Sequence, residues 1–194
     1  MKSIIIMTSD IDNHSTVLSD EELMQQSLSN PQAFATLIAR YKGLFFRYLK
    51  SFSGLRDDEI EDVVQISFIK IYRNLKAFRT DLKFSSWAYR IIHNEAVDEI
   101  KRRRRQGSEN ELDLDLPDKI SLVDQLDEKL ERKKVLAVLK KMSPDYREIL
   151  TLYFFEGQSY QEISDILRRP LGTVCTQINR AKKQFKELYQ KYVR

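Results

Sequence analysis

The sequence predicts an all-α protein: two small helical domains joined by an acidic linker, the second containing a helix-turn-helix. Three observations carry this expectation. Apolar residues recur at steps of three and four through most of the chain, the period of a helix with one buried stripe, and no segment reads as a strand. Five glycines and four prolines in 194 residues are too few for the tight turns of an all-β design. Charge falls in blocks: residues 1–30 carry −4, 31–105 carry +7, 106–131 carry −7 and 132–194 carry +8. Two basic modules flanking an acidic stretch predict a flexible tail over 1–18, a first domain over 19–106, a linker over 107–127 and a second domain over 128–194.

Each element has its own warrant. Ser19 precedes three acids, and Glu22 stands in capping-box spacing, so a short helix starts there and runs to about Ser29. Asn30-Pro31 breaks it and opens a second helix with Pro at its first position. Phe34, Leu37, Ile38, Tyr41, Phe45, Tyr48 and Leu49 form the buried stripe of that helix. Gly54 punctuates. A third helix over 58–76 turns Ile60, Val63, Val64, Phe68, Ile71, Tyr72 and Leu75 inward and Asp62, Gln65, Ile69 and Arg73 outward. Residues 77–84 read as a loop, with Ser85 as cap of a fourth helix that ends in Lys101 and four arginines, stopped by Gly107. Residues 108–126 alternate acids with leucine, include Pro117 and offer no large side chain to anchor a core. Helical pattern resumes from Asp127 through Leu139. Ser143-Pro144 opens a helix that Gly157 ends, and Ser159-Tyr160-Gln161-Glu162 is a complete capping box for the next. After a Pro/Gly turn, the last helix sends Val174, Ile178, Ala181 and Phe185 inward.

Composition limits the function classes. The longest apolar run is residues 135–139, far short of the ~20 needed to span a bilayer. Residues 4–7 are too short for a signal-peptide core, so a cytoplasmic protein without membrane insertion is expected. One cysteine forbids an intramolecular disulfide and makes a cysteine zinc site implausible. His14 and His93 have no ligand partner at metal spacing, so neither metal nor cofactor is expected.

Two segments carry binding chemistry. In residues 159–186 a capped short helix, a tight turn and a basic helix follow helix-turn-helix spacing. The first helix props the second, whose outward Thr173, Thr176, Gln177, Asn179, Arg180 and Lys183 suit base edges and phosphates of duplex DNA. Lys182 and Lys186 add charge. In residues 77–105, Phe78, Phe84, Trp87 and Tyr89 interleave with Arg79, Lys83, Arg90 and the arginine run, a pattern that serves unstacked bases and their backbone. Phe and Trp at helical spacing serve a core equally well, so this segment alone decides nothing.

At these places the sequence resembles a family. Asp62-Val63-Val64-Gln65 with Phe68 and Lys70 is similar to the RNA-polymerase-binding helix of bacterial sigma factors. Residues 84–91 with Asn94 resemble their −10-recognition segment. Tyr160-Gln161-Glu162-Ile163-Ser164 and Pro170-Leu171-Gly172-Thr173-Val174 with Arg180-Ala181 resemble their −35-binding helix-turn-helix. Order, separation and short length match the extracytoplasmic-function (ECF) subfamily. The resemblance implies a non-enzymatic subunit that binds core RNA polymerase through its clamp and flap and meets promoter DNA as duplex and as melted non-template strand. It also implies an anti-sigma factor as partner. Asp62, Gln65 and Phe68 would dock on the clamp. Phe78, Arg79, Lys83, Trp87, Arg90 and Asn94 would serve the −10 element, with Asn94 and loop 78–83 holding a flipped base.

The chain departs from the pattern at one place. Where many members have a basic residue, Ser and Arg after Gly-Thr-Val, it has Cys175-Thr176-Gln177. Two cationic contacts are lost, leaving more phosphate binding to Arg180 and nearby lysines. Cys175 is either a neutral filler or a redox-sensitive thiol at the DNA face. The rival reading, a free-standing helix-turn-helix regulator, leaves the Asp62/Gln65 face unexplained. A nucleic-acid enzyme would need convergent carboxylates or an activated nucleophile, and none is evident.

Overall fold

The computed structural model describes residues 18–78, 83–106 and 126–193. Arg79, the acidic linker up to residue 125 and all but the last residue of the expected tail lie outside the described residues. Those that are described are helical, with no strand among them, and form two helical clusters.

In the first cluster, α1 (Asp20–Gln26) opens on the expected capping box, the Ser19 side chain accepting from Glu22 N–H and Glu22 accepting from Ser19 N–H. Asn30 caps α2 (Pro31–Phe52), whose stripe of Leu37, Tyr41, Phe45, Tyr48 and Leu49 is buried. Gly54 takes the left-handed φ of 66° that turns the chain into α3 (Asp57–Arg73). That helix stops three residues before the expected end, and the chain tightens into a 3₁₀ turn, Leu75–Ala77.

Next, α4 (Phe84–Arg105) begins one residue before the expected cap. Ser85 therefore sits inside the helix, and Glu21 of α1 accepts the Phe84 N–H at 2.9 Å. A carboxylate from another helix does the work expected of a local hydroxyl, and its charge suits a helix N-terminus.

The second cluster holds α5 (Leu126–Lys140), α6 (Pro144–Leu150), α7 (Tyr160–Leu167) and α8 (Leu171–Val193). A π-helical turn, Thr151–Phe155, continues α6. Its wider winding leaves Phe154 and Phe155 exposed while Leu152 stays in the core. The Ser159 capping box forms as expected, with Glu162 accepting from Ser159 N–H at 2.7 Å. Arg168 ends α7 with a φ of 52°, and α8 leaves the turn with Val174, Ile178 and Ala181 fully buried and Phe185 half-buried.

The two clusters meet along a seam in which α7 packs on α4 and α6 on α2. Much of it is polar. Tyr48 donates to Glu148 Oε1 at 2.8 Å, and His93 Nδ1 lies 2.9 Å from the same oxygen. Tyr89 donates to Glu156, and Lys83 pairs with Glu162 at 2.9 Å. Burial pushes the Glu156 carboxyl up, a shift that the Tyr89 hydrogen bond and Arg47 only partly offset. Burial and the neighbouring carboxylate hold the Tyr89 phenol well above its ordinary value, so it remains a donor. A polar cavity of about 290 Å³ opens between the clusters beside Lys83, Glu156 and Glu162. This is the chemistry of an interface that separates, rather than of a continuous apolar core.

Candidate nucleic-acid and polymerase interfaces

The outward face of α3 follows from its period. Asp62 and Gln65 are exposed, and Ile66 and Ile69 stand exposed beside them, 46% and 51% accessible. Phe68 is buried, edge-on to Phe34 at 6.4 Å and against Phe45 at 5.4 Å. Of the three residues expected to dock, two reach solvent, and the third holds the helix on its core. Ile66 was legible in the heptad pattern as an outward apolar residue but carries no polar group to single it out. Tyr72, expected inside, is exposed with its ring against Phe34.

On α4 the inward stripe is Phe84, Ala88, Ile92 and Ala96, with Tyr89 beside it. Trp87, Arg90, Ile91 and Asn94 follow at helical intervals on the adjoining face, all half-buried. Phe78 and Phe84 pack beneath the indole at 5.1 and 6.0 Å. The ambiguity of this aromatic segment resolves by residue. Phe78, Phe84 and Tyr89 are core, while Trp87 is a supported ring with one face available for stacking. Lys83 is exposed but tied to Glu162 across the seam. The arginine run is also divided. Arg103 turns inward to Glu59 at 3.2 Å and Arg102 binds Glu99, whereas Arg104 and Arg105 are exposed.

The helix-turn-helix is α7 and α8. Its turn is clamped twice at one residue: Ser164 Oγ donates to the Arg169 carbonyl at 2.6 Å, and Arg169 N–H donates to the Ser164 carbonyl at 3.1 Å. Thr173, Thr176, Asn179, Arg180 and Lys183 are exposed on α8, and Gln177 is half-buried among them. Thr176 donates its hydroxyl proton to the Gly172 carbonyl at 2.9 Å, so it presents a methyl group and an acceptor. Lys182 faces elsewhere, its ammonium 4.2 Å above the Tyr153 ring and hydrogen-bonded to Tyr160. Lys183 and Lys186 keep their charge at the surface.

Three features had no sequence signal. The Tyr48–His93–Glu148 contact joins residues up to 100 positions apart. An apolar groove of about 430 Å³ runs between Val135, Leu139, Leu150, Phe154, Phe155 and Phe185. Arg169 in the turn bridges Gln177 and Asp145.

Comparison with known proteins bears on both clusters. Residues 37–106 match the family model Sigma-70 region 2, and residues 132–185 match Sigma-70, region 4. The chain is 30% identical to the ECF RNA polymerase sigma-E factor of Haemophilus influenzae, across 89% of this chain and 96% of that one. It is 28% identical to the RNA polymerase sigma-H factor of Pseudomonas aeruginosa, across 90% and 96%. Among solved structures it resembles CnrH in complex with the cytosolic domain of CnrY, with a TM-score of 0.62 at 24% identity, covering 89% of this chain and 97% of that one. It also resembles the sigma factor RpoE in complex with the anti-sigma factor NepR from Bartonella quintana, with a TM-score of 0.63 at 21% identity, covering 81% and 96%. Those two likenesses bear on the fold.

Proposed function

The chain belongs to the ECF sigma factors, non-catalytic subunits that direct RNA polymerase to promoters, and from that membership we propose how its surfaces divide the task. Asp62 and Gln65, with Ile66 and Ile69 beside them, dock on the polymerase clamp. Phe68 sets their height from within. Trp87, Arg90 and Asn94, with Phe78, Arg79 and Lys83 at the adjoining loop, take the −10 element, Trp87 stacking on an unpaired non-template base. Thr173, Thr176, Gln177, Asn179, Arg180 and Lys183 take the −35 element in the major groove. The groove of α5, α8 and the π-helical turn receives an apolar segment of the polymerase flap. An anti-sigma factor competes for these surfaces, as the NepR and CnrY complexes of the structural relatives suggest. The protein acts with the polymerase in the cytoplasm.

One observation carries this reading. Both matched regions, in order, turn toward solvent the residues that each step requires, a polar and apolar docking face on α3 and a polar stripe on α8. Transcription in vitro with purified core polymerase on a promoter library tests it. The expected result is selective initiation with base preferences at both elements. Substituting Arg180 should weaken −35-dependent initiation and lower the salt slope by about one. Initiation that ignores either element would refute the assignment of that surface.

A further inference from the structure

The turn of the helix-turn-helix holds an arrangement that the reading above does not use. Arg169 is fixed at its backbone by both hydrogen bonds to Ser164. Its guanidinium forks, Nη2 donating to Asp145 Oδ1 at 3.0 Å and Nη1 donating to Gln177 Oε1 at 3.1 Å. A guanidinium has donors only, so the atom of the Gln177 amide that faces it must be the oxygen. The planar fork, anchored on α6 by a carboxylate, orients the side chain of α8 that stands where many relatives carry arginine.

This changes what Gln177 can read. A free glutamine recognises adenine with both ends of its amide, the oxygen accepting from N6 and the nitrogen donating to N7. Here the oxygen is already engaged. It keeps a second lone pair, but an adenine amino group approaching it meets the guanidinium's N–H donors and positive charge. The Gln177 nitrogen remains as a donor, and the same positive charge favours acceptors. Guanine offers two in the major groove, O6 and N7.

We propose that Arg169 is a specificity-determining positioning residue, which converts Gln177 into a donor-only reader that prefers guanine and rejects adenine at one position of the −35 element. The inference rests on α8 being the −35 helix.

The test uses the full chain with purified core polymerase on templates randomised across the −35 element, with transcripts sequenced. Gln177→Ala locates the position by flattening its base preference. Wild type should favour guanine over adenine there. Arg169→Ala should shift that one position toward adenine by about tenfold, other positions unchanged. Arg169→Lys keeps the charge but loses the planar fork, and should shift it part of the way; it also serves should the alanine variant melt early. If both Arg169 variants lower output equally for all four bases, Arg169 is a phosphate contact or a brace, and the inference fails while Gln177 remains a reader. If Gln177→Ala changes no preference, the assignment of Gln177 to the −35 element fails, and the inference with it.

Discussion

Along α3 adjacent residues have opposite duties, and substitution should separate them. Asp62 and Gln65 touch solvent, whereas Phe68, one turn on, packs between Phe34 and Phe45. Replacing Asp62 and Gln65 together with alanine removes interface groups without opening a cavity. Affinity for core polymerase should fall about tenfold, a little over 1 kcal/mol, with circular dichroism and melting unchanged. Phe68→Ala should instead cost ~3–5 kcal/mol of stability through lost burial and a residual cavity. Equal core affinity for the first variant would remove these residues from the docking face. The inward and outward sets were legible because a helical period sorts residues by side. What the period could not convey is degree. Tyr72 lies at the margin of the inward stripe, where its ring covers Phe34 and its edge remains wet.

Elements were legible wherever the cap is local. The boxes at Ser19 and Ser159, the proline after Asn30 and the proline after Ser143 each begin a helix where the pattern places it. Ser159→Ala should cost ~1 kcal/mol, and should lower the melting of the C-terminal cluster by about 4–8 °C if that cluster melts as a unit. Its partner Glu162 adds a pH signature. Burial pushes the Glu162 carboxyl up, but hydrogen bonds from Ser159 and the Lys83 ammonium outweigh it and leave a net lowering. A lowered pKa stabilises the fold above the ordinary carboxylate range, and the contribution fades as pH falls through the folded value. Melting followed from pH 6 to pH 3 should therefore decline less steeply in Glu162→Gln than in wild type, and parallel curves would refute the linkage. Where the cap is remote, the sequence misleads. Ser85 has the chemistry of a cap, yet Glu21, 63 positions away, takes the first N–H of α4. The π-helical turn has no compositional marker, because one extra residue in a helix leaves the apolar spacing almost intact.

At the scale of the molecule, the seam and the task conflict. Elements named −10 and −35 are about 25 base pairs apart, roughly 85 Å of duplex at ~3.4 Å per pair. A compact chain of 194 residues has a radius of gyration of only ~16 Å. The two reading faces therefore cannot reach both elements while α7 lies on α4, and promoter engagement must part the clusters. The 19 residues between the described clusters, 107–125, can span at most ~65 Å when extended, enough to allow it. What has to break is modest in number and specific in kind: Glu148 with Tyr48 and His93, Glu156 with Tyr89, and Glu162 with Lys83. Nothing in the sequence marks these contacts, since a buried tyrosine and a lone glutamate look like any other stripe and face. Removing one side of the seam should release it without unfolding either cluster. With one dye on α3 and one on α8, the free wild-type chain should show high energy transfer that core polymerase lowers. Glu148→Ala combined with Glu156→Ala should lower transfer in the free chain toward that value while helical content persists. If the double variant transfers as efficiently as wild type, the polar contacts do not hold the clusters together, and their apolar packing must.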